Sequence, residues 1–492
     1  MSAAPHQPVS SPSTDTCPPA RPSRETSFAR SVAKYAGFAL LLSWHYVFWF
    51  VPSIFSNVQL MDDCVTYSWL VNLFATAAFT FLIGLALGRK RHLSHWSVLF
   101  AAAPLLLAAG TLTLALLPYD ETPAAIWYAA SIALGALEAI LWILWGEHFA
   151  CEKAQFSITH IGTAFGVTLL ATVLVADVIP DKITPYFAAL LPLISGALLI
   201  AARRRASDTF PVLLPAGAAS GGVRNMIMVG CLTLFATAAC YFLVAIIPWE
   251  ELPTRDRTFT IGIMVGAAFM LLIAGSCALS KGRLNVFKIF PTLFVLEIIA
   301  FALFLSSRDL FLLSFDIGTG LSAIFEILLI MYFGILITKG YVTAALGFAC
   351  SCGFARLGKG LGNTLAVFYE HMPEVAAAIT PETALFFMCL LACLIIPLVR
   401  REYSIIALTT IAPTKSEIEQ ICAEAAQEFG LSSREEDVLL LIARGYTAKA
   451  IADKLVLSAH TVNTHIRHIY DKMQIHKRSE LLNYLNMQRS DY

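Results

Sequence analysis

The sequence predicts an all-α protein in two parts, a polytopic bundle of about twelve membrane helices arranged six plus six and then a small four-helix domain. Three observations predict it. The 492 residues are 58% hydrophobic and 14% charged, with a mean hydropathy of +0.70, too apolar for a water-soluble chain. The apolar excess lies between Ala36 and Val399 and breaks into runs of spanning length. From Leu431 onward the pattern changes to short amphipathic helices with polar caps.

Residues 1–35 are rich in Pro, Ser, Thr and Arg and lack an apolar core, so they read as a disordered polar tail and not a signal peptide. The first six spans are expected at Ala36–Phe55, Tyr67–Gly88, Ser97–Leu117, Ala124–Trp145, Ser157–Val178 and Tyr186–Ala202. A loop over 203–224 separates them from Asn225–Pro248, Phe259–Leu279, Phe287–Ser306, Leu310–Thr338, Val342–Tyr369 and Ala384–Val399. A linker over 400–430 follows, with an amphipathic helix from Ser416 to Phe429 that presents Ile418, Ile421, Cys422, Ala425 and Phe429 on one face.

The loop charges orient the bundle. Alternate connections collect Lys34, Arg89 to Arg91, Lys153, Arg203 to Arg205, Arg224, Lys281, Arg283, Lys288, Lys339, Arg400 and Arg401. The opposite set carries Lys182, Arg255, Arg257 and Arg308. Basic residues concentrate on the cytoplasmic side of membrane proteins, so both termini are expected in the cytoplasm.

Most of the 11 cysteines fall inside apolar segments, where a thiol acts as a small hydrophobe. No zinc-ligand spacing, paired nucleophile and base, or nucleotide fold is legible, so neither an enzyme nor a cofactor is expected. Gly353 to Gly360 nearly spells a phosphate-binding loop. It lacks the Ser or Thr that holds magnesium and follows no strand, so its glycines read as close helix packing, with Arg356 and Lys359 left as a possible anion site.

Ionisable side chains at membrane depth are costly and are candidates for function. Glu138, His160, Glu297, Asp316, Glu326, Arg356 and Lys359 are the candidate effector-binding residues, with structural ion pairing as the competing reading. Asp316 and Glu326 are expected to face Arg356 and Lys359 across a central cavity. A faint repeat relates the halves, Leu137-Glu138 before Gly146 matching Phe325-Glu326 before Gly334 at equal spacing.

Ser432 and Glu435 form a capping box that starts a helix running to about Ala443, ended by Gly445. Thr447 caps Ala448 to Leu455, Ser458 caps a third helix to about Met473, and a fourth runs from Ser479 to about Leu485. The tight Leu455-Val456-Leu457 connection makes the middle pair a helix-turn-helix, whose second helix enters the DNA major groove. His460, Asn463, Thr464 and Arg467 are the expected base contacts, since Asn pairs bidentately with adenine and Arg with guanine. Thr447, Lys449, Ser458, Thr461, His465 and Arg478 are suited to phosphates.

Residues Leu431-Ser432, Arg434-Glu435, Val438-Leu439, Gly445, Ile451-Ala452, Leu455, Ser458, Thr461-Val462, His465, Ile469, Lys472-Met473 and Arg478 resemble, in register, the DNA-binding domain of LuxR-type bacterial regulators. Asn463, Ala448 and Ala450 depart from that family's usual residues and bear on the target sequence. The resemblance implies sequence-specific binding to double-stranded DNA, usually as a homodimer, in a bacterium's inner membrane. The six-plus-six topology and the Gly88-Arg89-Lys90-Arg91 turn resemble, more weakly, major facilitator transporters. The expectation is a membrane-bound transcriptional regulator that senses a small molecule or membrane signal. The alternative is a major-facilitator-like transporter with a regulatory DNA-binding tail.

Overall fold

The computed structural model describes residues 24–55, 63–89, 91–118, 121–152, 154, 156–204, 209–214, 216–248, 257–280, 286–409, 415–443, 446–478, 480–481 and 484–485. Among them no strand occurs. The first half comprises α1 (Arg24–Ala33), α2 (Ala36–Phe50), α3 (Asp63–Leu87), α4 (Leu99–Leu116), α5 (Ala124–Cys151), α6 (Ile158–Val178) and α7 (Thr184–Arg203). The second comprises α8 (Ala216–Ile246), α9 (Thr258–Leu279), α10 (Phe290–Ser306), α11 (Phe311–Thr338), α12 (Ala344–Glu370) and α13 (Pro373–Thr409). The tail carries α14 (Lys415–Glu428), α15 (Ser433–Ala443), α16 (Ala448–Leu455) and α17 (Ala459–Met473).

Among the described residues, 9 helices are long and apolar enough to cross a membrane. Two shorter apolar helices, α2 and α10, and the charged α12 complete the expected set. The two halves are interleaved: α12 packs on α3 and α5 of the first half as well as on α8, and α9 packs on α6. Helix α11 is enclosed throughout its most apolar stretch, whereas only 22% of the corresponding stretch of α13 is buried, which puts α13 at the rim.

The repeat in the sequence has a packing counterpart. A side chain at Gly146 would collide with the Phe348 ring of the second half, and one at Gly334 with the Phe156 ring of the first. Each glycine therefore admits an aromatic ring from the opposite half. Gly358 and Gly362 let α12 approach the α8 backbone, as their reading as packing glycines requires.

Several boundaries differ from the expected ones; α3 begins at Asp63, α5 runs on to Cys151 and α13 begins already at Pro373. Helix α2 stops at Phe50, because Val51 is extended and Pro52, which has no N–H to donate, opens a short 3-10 turn to Phe55. Residues 24–33, assigned to the disordered tail, are helical, and Phe28 meets the His160 ring at 5.5 Å; residues 1–23 of that tail lie outside the described residues. Helix α8 begins at Ala216, inside the expected loop. Helix α13 does not stop at Val399 but continues to Thr409, with Arg401 Nη1 donating to Asn225 Oδ1 at 3.0 Å and Ile405 buried. These tertiary contacts extend the helix past the point where hydropathy falls.

In the tail, Ile421, Cys422, Val438, Leu439, Ile442, Ile451, Val462, Ile469, Met473 and Leu481 close one small core. Helix α14 packs on α15 of the same chain. Gly445 and Ser479 lie outside the described residues. Val456 closes α16 in the left-handed region, at φ 56°, with its side chain 90% exposed. A β-branched residue is poorly suited to that conformation, and almost no burial would be lost on removing its side chain. Val456→Gly is therefore expected to stabilise the tail domain by about 1 kcal/mol, read as slower hydrogen exchange across α15 to α17.

Candidate functional site

Helix α17 buries Val462, Ile469 and Met473 and exposes His460, Asn463, Thr464 and Arg467. Those four expected base-reading residues thus share the face turned away from the domain core. Thr464 Oγ1 also donates to His460 O at 3.1 Å. At the helix starts, Thr447 Oγ1 accepts from Ala450 N at 3.4 Å, and Ser458 Oγ accepts from Thr461 N at 3.0 Å. The Ser458 and Thr461 hydroxyls lie 2.7 Å apart. Helix N-termini present unpaired N–H groups and favour anions, so both caps suit phosphate contacts. Lys449 lies in the first turn of α16, with its side chain outside the described residues, and His465 is half-buried on α17.

Arg478, expected on a phosphate, is placed differently. Its Nη2 donates to Tyr446 O at 2.8 Å, between α15 and α16, and to Ile442 O at 3.5 Å, at the end of α15. Lys472 is likewise engaged, its Nζ lying 2.8 Å from Glu435 Oε2 and 3.0 Å from Gly430 O. Of the Lys and Arg residues between Ser458 and Arg478 (Arg467, Lys472, Lys477 and Arg478), Lys472 and Arg478 therefore hold the domain together.

In the membrane half, four of the seven candidates meet. Arg356 on α12 reaches Glu138 Oε1 on α5 with Nη2 at 2.9 Å and Glu326 Oε1 on α11 with Nη1 at 3.0 Å. Lys359, one turn on, reaches Glu326 Oε2 at 2.8 Å. All four side chains are 0% exposed. Two carboxylates and two cations cancel in formal charge, which offsets the cost of burying each alone. Tyr46 of α2 donates to Glu326 Oε2 at 3.0 Å and accepts from Lys359 Nζ at 3.0 Å. Thr76 of α3 donates to Glu138 Oε2 at 3.2 Å, and His45 Nδ1 lies 3.4 Å from Glu138 Oε1. Aromatic faces complete the shell: the guanidinium of Arg356 lies 5.8 Å from the Trp142 ring centre, and Lys359 Nζ lies 5.4 Å from that of Tyr241. Because α5 comes from one half and α11 and α12 from the other, separating the halves at α5 would break the Arg356–Glu138 pair.

The other three candidates lie elsewhere. Asp316 is half-buried about three turns before Glu326 on α11, too far along the helix to join the cluster. Glu297 lies beside Cys240, and His160 sits at the start of α6 against Phe28. The expected facing of Asp316 with Arg356 and Lys359 is thus corrected to Glu326 and Glu138. The possible anion site at Arg356 and Lys359 is already filled by those carboxylates. Sequence reasoning missed His45, Tyr46, Thr76, Trp142 and Tyr241; of these, His45 is an ionisable residue inside an apolar run and the rule that found Glu138 could have found it. It also missed Glu147, a buried carboxylate that accepts from Leu93 N at 2.9 Å and Ser94 N at 2.7 Å, where it caps the turn before α4.

Comparison with known proteins bears on the tail. Residues 430–485 match the model of the family described as bacterial regulatory proteins, luxR family. The C-terminal domain is LuxR-type. Over 54 residues it is 46% identical to the oxygen regulatory protein NreC of Staphylococcus carnosus and to that of Staphylococcus haemolyticus. That stretch is 11% of this chain and 25% of each relative, so the chain spans about a quarter of the length of the curated relatives it matches. Among solved structures, the chain is similar to the human organic anion transporter MFSD10, with 13% identity and a TM-score of 0.48, covering 76% of this chain and 98% of that one. It is similar to the fucose:proton symporter FucP of E. coli with 13% identity and a TM-score of 0.49, covering 76% and 99%.

The LuxR-type domain carries its own electrostatic fastener. Ser432 N donates to Glu435 Oε2 at 2.7 Å while Ser432 Oγ accepts from Glu435 N at 3.3 Å, the reciprocal capping box. Burial pushes the Glu435 carboxyl up, but hydrogen bonds from Lys472 and Ser432 outweigh it and hold the group at about 2. A carboxyl held below its ordinary value of 4.5 stabilises the folded domain above pH 4.5, and that stability is lost as pH falls from there toward about 2. Glu435→Gln is expected to cost about 1.5–3 kcal/mol at neutral pH and to flatten the acid dependence in that window, measured by melting the tail helices across pH.

Proposed function

We propose that the chain is a membrane-embedded one-component transcription regulator. Its helical bundle senses a small molecule or a membrane state, and its LuxR-type domain reads DNA through Asn463 and Arg467. The observation that carries this reading is the LuxR-type match at 430–485 in one chain with a multi-helix apolar bundle. The loop charges support cytoplasmic termini in a bacterial inner membrane, which puts the DNA-binding domain on the chromosome's side. A weak phosphate contribution from a chain of net charge +0 favours binding as a homodimer, where two half-sites add. The families matched are of regulators, and the reading invokes no catalysis.

Helix α13 supports a specific route between the parts. It runs without interruption from the rim of the bundle to Thr409, and α14 begins at Lys415. Its extension is held to the bundle by Arg401 on Asn225 and by buried Ile405. A change in helix packing then reaches the tail along this helix, which carries Pro381 and Pro397 within it, and the effector must bind two arrangements unequally to cause it. Inserting Gly-Gly after Arg401 is expected to leave the DNA affinity of the full chain within about twofold while making transcription of its targets insensitive to the effector. Retained responsiveness would rule out this route.

A second reading, a transporter whose tail reports flux to transcription, is favoured by the ion cluster that bridges the two halves. Uptake of a solute that survives removal of the tail would select it.

A further inference from the structure

Beside the ion cluster lies a cleft of about 60 Å³ that no candidate above includes. Trp49 and Phe50 of α2, Trp69 of α3, Tyr241 of α8, Phe259 of α9 and Asn363 of α12 line it, so both halves contribute. Its aromatic rings form a sleeve: Phe50 meets Trp69 edge-on at 5.2 Å and Phe259 at 5.6 Å, and Trp69 meets Tyr241 at 5.6 Å. Trp49 and Trp69 are 3% and 6% exposed, and among the described residues neither indole N–H has a hydrogen-bond partner. Buried indoles normally find an acceptor, and an indole can only donate. Among the described residues, none of the lining side chains is a carboxylate or a cation. Behind Tyr241 and Tyr46, Lys359 is already paired with Glu326.

We infer that this cleft binds a neutral, planar, mainly apolar small molecule that carries hydrogen-bond acceptors, held between the aromatic faces with its acceptors on Trp49 and Trp69. Among the described lining residues an anion would find no cation and a cation no carboxylate, whereas flat rings and donor-only edges suit an uncharged acceptor. The site also has a way to be felt. An adjoining narrow gap of about 10 Å³ shares Phe50, Tyr241 and Phe259 with the cleft and reaches Tyr46, whose hydroxyl bridges Lys359 and Glu326. An occupant that moves Tyr241 or Tyr46 therefore acts on the contacts joining α2, α11 and α12. In the topology proposed above, the cleft lies at the ends of the helices turned away from the cytoplasm.

The inference deepens the sensor reading, and its test reads occupancy and not transcription, so either can fail alone. The full-length chain in lipid nanodiscs is photolabelled with benzophenone, and labelled peptides are mapped by mass spectrometry. Labelling is expected to concentrate on peptides holding Val65 and Val244. 9-Fluorenone, planar and bearing a carbonyl, is expected to compete about fivefold better than fluorene, which has the same shape without the acceptor. In Trp49→Phe/Trp69→Phe that preference is expected to disappear, with benzophenone labelling weakened about as much but still at the same peptides if the sleeve folds. Labelling spread over lipid-facing helices, equal competition by the two compounds in the intact chain, or a preference that survives in a folded double variant would each overturn the inference.

Discussion

Arg356→Gln is expected to destabilise the bundle by about 3–5 kcal/mol, seen as a marked fall in the melting temperature of the full chain in detergent. The substitution leaves Glu138 and Glu326 buried with one cation between them, so one negative charge stays buried without a partner. Arg356→Lys keeps the charge but is expected to rescue it incompletely. The planar guanidinium holds two carboxylates at once, at 2.9 Å and 3.0 Å, with two different nitrogens, and an ammonium offers a single point of charge. Glu138→Gln combined with Arg356→Gln restores neutrality and is expected to recover about half of the loss. If Arg356→Gln melts within a degree or two of the intact chain, the four side chains are not one balanced unit and the interlock between the halves fails with it.

Asn463→Ala with Arg467→Ala is expected to weaken operator binding by about 10²–10⁴-fold, since each bidentate base contact contributes about 1–3 kcal/mol. Both residues are exposed on the α17 face opposite Val462 and Ile469, so their removal disturbs no packing. The salt dependence separates this from loss of phosphate contacts. Substituting base-reading residues is expected to leave the slope of log affinity against log salt nearly unchanged for Asn463 and to reduce it by at most about 1 for Arg467. The slope itself is expected to be shallow, because Lys472 and Arg478 are committed to Glu435 and to carbonyls of the domain. Titrating a labelled operator with the full chain at several salt concentrations measures both.

The helical architecture was largely legible because burial in lipid leaves a coarse signal. Spans such as Ile158–Val178 and Thr258–Leu279 fall almost on the apolar runs. Boundaries set by tertiary contact were not legible: the extension of α13 through Arg401 rests on Asn225, 176 positions away in sequence. The ion cluster was half legible. Charge at membrane depth singled out Glu138, Glu326, Arg356 and Lys359, and the repeat paired the two glutamates. Tyr46 and Thr76 carry no such mark, and they join because α2 and α3 pass beside α11 and α5. In the tail, capping residues at Ser432, Thr447 and Ser458 announced the helices because each cap is a local event. The task of Arg478 was hidden because its acceptor, Tyr446 O, lies 32 residues away.

The most direct test of the central claim compares transcripts from cells carrying the intact protein, cells lacking it, and cells carrying Asn463→Ala/Arg467→Ala at equal abundance. The regulator account predicts that the double variant reproduces the deletion at a small set of genes. A double variant indistinguishable from the intact strain, while the deletion differs from both, would contradict it and leave the membrane half with work of its own.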